Sequence, residues 1–476
     1  MAVKNNVGIA FTANSDQQNK SSEKAALVVK TKGGYPFIDC LTFYIPENLD
    51  LDHVLHTNPP SFSYCKGKFV YILNLIYSLP SRRKKNIEEY YGYTPISKAI
   101  LGSTIKDYRK YINYLKLQNI VEEDSYIPDV KCGGLRFTDT YRKTLHQKPV
   151  VITSWKLIKN ITYLRKNYDS KLTQELIPLK SWFADLDVDM KGAKKYLKRK
   201  YKEDYRDPLI KYSELRYNSR LLPIQRLHTK EEPLFFVDKT AGRLHTYITQ
   251  LKSELRKFLR WKGKVLCSID ISNSQPYLLQ SFLNKETYDR CNNNNRLGRS
   301  KQQSNTIMLG VLIESISEEK DVILFKSIVS SGKFYEEFGK VLEDSGEFVD
   351  IEKEDIRGHV KDITFSTLFS KNSAIRYKNS IRIFKKIFPN VYKVIKEIKQ
   401  EKHNTLAVVL QNLEADLVLH KACKKISQER PDIPIFTLHD SIITTEENTE
   451  YVQSVLKSIL KKHIGIEPNF KVERWE

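Results

Sequence analysis

Apolar positions recur with two different periods along this chain, and the change of period divides it. Residues 66–85 (KGKFVYILNLIYSLPSRRKK) predict a helix with a basic end. Residues 94–124 (TPISKAILGSTIKDYRKYINYLKLQNIVEED) predict a helix, a short turn at Gly102–Ser103 and a longer helix. Along that second helix Ile105, Tyr108, Tyr111, Ile112 and Leu115 return at three- and four-residue steps. SYIPDVKCGGLRFT (125–138) then predicts a β-ribbon turning at Gly133–Gly134. Residues 150–235 are mostly helical in pattern, and ADLDVDM (184–190) reads as a connector among them. From residue 236 onward short strands alternate with helices.

Two strand ends in this last part carry carboxylates. KVLCSIDIS (264–272) is apolar on both faces and ends at Asp270, with Pro276 suited to the first turn of a following helix. TLHDSIITT (437–445) is a β-branched run broken by a polar pair, the pattern of a tight hairpin with Asp440 at its tip. An aspartate in such a place is costly without a partner. Two aspartates from separate strands can share two divalent metal ions, the arrangement used for in-line phosphoryl or nucleotidyl transfer. A third element fits the same chemistry. In RGHVKDITFSTLFS (357–370), Arg357, Lys361, Phe365 and Phe369 fall four residues apart, one helical row of two cations and two rings. Two cations one turn apart can clamp a triphosphate, and an aromatic ring one turn on can stack on a base.

Charge agrees with a polyanionic partner. The 476 residues carry 79 Lys and Arg against 57 Asp and Glu, a formal +22, which places nucleic acid first among partner classes. MKGAKKYLKRKYKEDYR (190–206) interleaves these cations with tyrosines, as a surface tracking a nucleic-acid backbone would. Helix–turn–helix followed by a ribbon resembles a winged helix, with Lys106, Arg109 and Lys110 placed to meet phosphates. The six cysteines are scattered without a C-x-x-C pair, so neither a zinc site nor a disulfide framework is expected. The reading is an intracellular, cytoplasmic chain with no membrane segment: its longest strongly apolar stretch, 69–79, is too short to span a bilayer. Residues 1–25 read as a mobile tail and CNNNNRLGRSKQQSN (291–305) as an exposed loop.

The region 240–476, half of the chain, resembles the polymerase domain of family A DNA polymerases, the DNA polymerase I type. Six segments stand in the family's order: TAGRLHT (240–246), DISNSQ (270–275), SGKFYEEFG (331–339), RGHVKDITFSTLFS (357–370), LQNLEAD (410–416) and LHDS (438–441). The resemblance implies an α+β right-hand polymerase: a palm with a small antiparallel sheet, helical fingers and a helical thumb. A helical N-terminal module, with the winged-helix resemblance noted above, precedes them. It implies Asp270 and Asp440 as catalytic metal ligands, with the Ile271 carbonyl completing the shell of two Mg²⁺ ions, Mn²⁺ being the alternative. Arg357, Lys361, Phe365, Phe369, Asn273 and Gln275 would hold the nucleoside triphosphate, and Arg243, Gln411 and His439 the primer-template.

The expected domains are a tail (1–25), the N-terminal module (26–149), a basic thumb-like region (150–239) and palm with fingers (240–476, fingers about 284–400). Departures from the family pattern bear on the sugar. Gln275 stands where glutamate is usual, Phe369–Ser370 where Tyr–Gly is usual, and Ser441 where glutamate is usual. No exonuclease pattern is visible, so synthesis without proofreading is expected. DNA synthesis on a DNA template is the leading reading, with RNA an alternative template. A single-subunit-type RNA polymerase or primase is the first alternative function, and a non-catalytic DNA-binding replication protein the second.

Overall fold

The computed structural model describes residues 28–30, 36–38, 40–82, 87–125, 133–161, 173–230, 235–238, 240–293, 303–346, 356–400 and 402–476. The expected tail, the tip of the ribbon at 126–132 and the centre of the asparagine-rich stretch at 294–302 lie outside them. The ends of that stretch are helical, closing the helix Lys285–Asn293 and opening the helix Gln303–Ser315. Among the described residues no helix is long and apolar enough to cross a membrane.

Two antiparallel strands, Leu41–Pro46 and Gln147–Ile152, bring the ends of the N-terminal module together, Leu41 opposite Ile152. Between them lie the helices Lys66–Arg82, Lys98–Thr104 and Tyr108–Leu117. A three-stranded sheet completes the module in the order Thr94–Pro95, Gly134–Phe137, Val121–Glu123. Its core is built on Phe69, Tyr77, Tyr111 and Leu115, all buried. Two local expectations change. Gly102 and Ser103 stay helical, because Ser97 caps the helix at the Ile100 amide and the chain leaves it only after Thr104. The turn is Ile105–Asp107. A Cβ on Gly102 would stand 3.3 Å from the Tyr108 ring, so glycine lets the two helices close on each other. Gly134 is likewise no turn residue: it opens a strand opposite Pro95.

The second core surrounds a curled antiparallel sheet of six strands. Its path runs Phe436–Leu438, Ser441–Thr445, Lys264–Ile271, Leu259–Trp261, Leu186–Val188, and Phe470–Arg474 also pairs with Lys264–Ile271. The strand Lys264–Ile271 is therefore interior, which is why it reads as a nearly continuous apolar run. Leu186–Val188 is an edge strand rather than a connector. Leu186 and Val188 point inward around Asp187, a two-residue alternation too short to stand out in an acidic stretch. Asp189 then caps the helix Met190–Arg206, accepting from the Gly192 amide at 2.9 Å.

That helix packs on Ser213–His228, held by a buried ion pair from Arg220 to Asp204 at 2.8 Å and a second contact to Glu254 at 3.1 Å. Ser213–His228 faces both cores. Tyr217, Leu221, Ile224 and Leu227 enter the sheet's core, while Leu215 and Leu222 enter that of the N-terminal module. Among the described residues between 303 and 398, six α-helices gather around Phe325, Phe334, Phe338, Phe384 and Phe388, whose rings contact one another at 5.0–6.4 Å.

Candidate active site

The hairpin at 436–445 lies directly beside the strand ending in Asp270. Leu438 pairs with Ser441 across the turn, and Ser441 pairs with Asp270 in the next strand. His439 adopts φ +56, the left-handed conformation that a two-residue turn demands. The Ile271 amide reaches back to the Asp440 carbonyl at 3.4 Å. Two carboxylates 170 residues apart in sequence thus become neighbours at one sheet end. Asp270 accepts from the Ser268 hydroxyl at 2.9 Å. Burial pushes the Asp440 carboxyl above its ordinary range and the Asp270 charge adds to this, against the pull of the bonded Ser274 hydroxyl and of Arg243. The ionised form of a buried carboxylate raised in this way is stabilised by any cation brought beside it.

Asp270, Ile271 and Asn273 line a cleft of about 560 Å³, and Arg357 lines it too. The helix Ile356–Phe369 presents the expected row. The Arg357 guanidinium lies 5.5 Å and the Lys361 ammonium 5.4 Å from the centre of the Tyr335 ring. Phe365 meets the same ring at 6.5 Å, and Phe369 stacks on Phe365 at 5.7 Å. Arg357 also donates to Glu336 at 2.8 Å. Both partners of that pair are about half exposed, so the contact contributes little and is readily exchanged for a phosphate. Tyr335 is a site residue that the sequence did not disclose. It is buried, its hydroxyl is pushed up to about 12 by that burial, and it joins the cationic row to the cleft. Only its aromatic type, in a segment otherwise read by pattern, signalled it. Lys333, Lys340 and Lys471 line the cleft as well.

Glu414 is the second residue missed. Its side chain is 1% exposed and accepts from Arg243 through both oxygens, Nε at 2.9 Å and Nη2 at 2.8 Å. It also accepts from Gln275 Nε2 at 3.1 Å. Gly242, at φ +66, makes this reach workable: a Cβ there would stand 3.4 Å from Asn412 Oδ1, against the helix Thr405–Ala415 that carries Glu414. Asp238 shapes the same turn through the amides of Thr240, Ala241 and Arg243. Burial pushes Glu414 up to about 7, and the Arg243 guanidinium and Gln275 amide pull it only partly back. Gln411 stands one turn before Glu414 on the same helix. His439 lies 6.4 Å from His245, which bonds Asp238 at 3.1 Å. Asn273 Nδ2 and Gln275 Oε1 are both buried without a protein partner among the described residues.

Among solved structures, the chain is similar to the POL domain of Pol1 from M. smegmatis, determined in complex with DNA primer-template and dNTP. The match has a TM-score of 0.37 and 11% identity over 67% of this chain and 74% of that one. No family model and no curated protein matches the sequence. A likeness this distant assigns no chemistry, which rests on the residues of the site itself.

The donor set suits a hard divalent cation. One carboxylate lies at a strand end and the other in the turn of the neighbouring hairpin, with the Ile271 backbone beside them, and magnesium is commonly held by one or two carboxylates together with substrate phosphates. Among the described residues no cluster of three or more His, Cys, Asp or Glu makes a closed metal cage. Glu414, the nearby third acid, is engaged by Arg243 instead.

Proposed function

We propose that this chain is a template-directed DNA polymerase that adds deoxynucleotides to a primer 3′-hydroxyl without proofreading. The observation that carries the reading is the register of Asp270 beside the Asp440 hairpin, at a cleft that Arg357 also lines. The curled sheet serves as palm, the helices between 303 and 398 as fingers, and the helices Met190–Arg206 and Ser213–His228 as thumb.

Asp270 and Asp440, with the Ile271 carbonyl, hold magnesium, which supplies Lewis-acid neutralisation of phosphate charge when bound. Arg357 and Lys361 bind the β- and γ-phosphates, Arg357 leaving Glu336 to do so. Phe365 and Phe369 stack beside the base and sugar, while Asn273 and Gln275 offer their unpartnered buried atoms to the sugar side. Arg243, Gln411 and His439 line the primer end. The primer 3′-hydroxyl gives up its proton to solvent and its oxygen bonds to the α-phosphorus, as the bond from that phosphorus to the α–β bridging oxygen breaks and pyrophosphate departs. Lys191, Lys194, Lys195, Lys198, Arg199 and Lys202 are exposed on Met190–Arg206 and grip the duplex backbone.

Ribonucleotide use is the second reading. The buried Gln275 Oε1 is an acceptor that a ribose hydroxyl can meet, whereas Phe369 carries no hydroxyl of its own. Primer extension with magnesium, offering dNTPs and NTPs separately, decides between them. Extension with dNTPs alone supports the first reading, and extension with NTPs moves the chain to the RNA polymerase or primase class. Failure of both, with DNA still bound, favours a non-catalytic replication protein.

Two further outcomes test the nucleotide clamp. Lys361→Ala raises the nucleotide KM by roughly tenfold, the loss of one charge-assisted contact of about 1.5 kcal/mol. Glu336→Gln releases Arg357 and lowers that KM by roughly two- to threefold, in keeping with an exposed ion pair. Steady-state single-nucleotide incorporation reads both, and an unchanged KM for Lys361→Ala removes that residue from the clamp.

A further inference from the structure

The N-terminal module presents a basic helical face that polymerisation does not use. In the helix Tyr108–Leu117, Tyr111, Ile112, Tyr114 and Leu115 are buried in the module's own core. Lys106, just before it, and Arg109, Lys110, Asn113 and Lys116 are all exposed on the opposite side. The helix Lys98–Thr104 precedes it across the three-residue turn Ile105–Asp107, the spacing of a helix–turn–helix. The sheet ordered Thr94–Pro95, Gly134–Phe137, Val121–Glu123 meets the helix Tyr108–Leu117 through its strand Val121–Glu123.

Charge on this face is unevenly matched. Glu123 is shared by Lys98 and Lys116, the latter at 3.1 Å, and Asp107 is paired with Lys68 at 2.8 Å. Among the described residues Lys106, Arg109 and Lys110 make no ion pair with a carboxylate. Lys110 lies 5.9 Å from the Phe62 ring. A groove of about 670 Å³ runs along the helix, lined by Lys98, Arg109, Asn113 and Lys116 and, on its far wall, by the carboxylates Glu123 and Asp124. Ten residues of helix span about 15 Å, and a helix of ordinary width enters a major groove about 12 Å wide.

We infer that Tyr108–Leu117 is a recognition helix that docks in the major groove of double-stranded DNA, giving the chain a second duplex site separate from the cleft at Asp270. Lys106 and Lys110 contact phosphates on one side of the groove. Arg109 and Asn113 stand one turn apart at its centre: the Arg109 guanidinium can donate to guanine O6 and N7, and the Asn113 amide can donate to adenine N7 and accept from adenine N6. The basic stripe and the polar reader at its centre favour duplex DNA over an apolar protein partner. The assignment does not depend on the chain being a polymerase.

The test uses full-length protein and covalently closed dumbbell duplexes, which offer no 3′ end to the cleft. Lys106→Glu/Lys110→Glu weakens dumbbell binding at least tenfold and flattens the dependence of log K on log salt by about two, one per lost phosphate contact. In a selection from random-sequence dumbbells, wild type enriches a motif, and Asn113→Ala relaxes preference at one adenine by roughly tenfold. Arg109→Ala, a single exposed change that leaves the core intact, repeats the comparison should the double variant unfold. Unchanged affinity and salt slope in a folded variant overturn the inference and leave the face to a protein partner. A primer extension failure with intact dumbbell binding would strike the polymerase reading alone.

Discussion

Asp440→Asn slows primer extension by roughly a thousandfold, about 4 kcal/mol of lost transition-state stabilisation, while DNA binding is kept. Asparagine retains the shape and can still meet the Ser274 hydroxyl. It removes the negative charge that, with Asp270, would hold the divalent ion. Stability moves the other way. Burial and the Asp270 charge already strain the ionised Asp440, so the neutral variant melts at the wild-type temperature or above it. Asp270→Ala gives the same loss of synthesis without the gain, since it removes the acceptor of the Ser268 hydroxyl. Single-turnover extension together with thermal denaturation separates the two effects. Wild-type extension by either variant would remove the carboxylate pair from the chemistry.

Glu414→Ala costs about 3–5 kcal/mol of folding stability, because it leaves the Arg243 guanidinium without the buried carboxylate that holds it. It also frees Gln275, so extension falls and discrimination between dNTP and NTP changes with it. Glu414→Gln preserves the shape and isolates the charge. In the folded chain Glu414 is pushed up to about 7 from an ordinary 4.5. Between those values the folded chain binds a proton that the unfolded chain has released. The stability from this group is complete below about pH 4.5 and is lost as pH rises through 7, about 3 kcal/mol in all. Urea denaturation at pH 5 and pH 8 shows that decline in the wild type. Glu414→Gln shows a decline smaller by that amount. Equal slopes would mean that Glu414 stays ionised throughout.

What the sequence disclosed follows physical lines. The strand to Asp270 and the hairpin at Asp440 were legible because an interior strand must be apolar on both faces and a tight turn must be polar. The Arg357–Phe369 row was legible because helical periodicity alone places it on one face. Glu414 was hidden because its role depends on Arg243, 171 residues away, and nothing local in LQNLEAD marks a buried acid. Tyr335 was hidden for a related reason: a tyrosine one residue into an amphipathic helix looks like core until Arg357 and Lys361 are seen against its ring. Leu186–Val188 was lost because three residues are too few for a period of two to be recognised. The turn at Ile105–Asp107 was misplaced by three residues, since glycine suggested a break where it serves close packing.

The helix Ser213–His228 has a consequence for how the chain comes apart. Leu215 and Leu222 are buried by one core, Leu221 and Ile224 by the other, and Arg216 reaches Glu88 of the N-terminal module at 2.6 Å. Cutting the chain near residue 150 would strip the cover from one flank of this helix and take Glu88 away from the Arg216 guanidinium. The module and the sheet thus share one helix as common ground, and a single cooperative thermal transition is the expected result of that sharing.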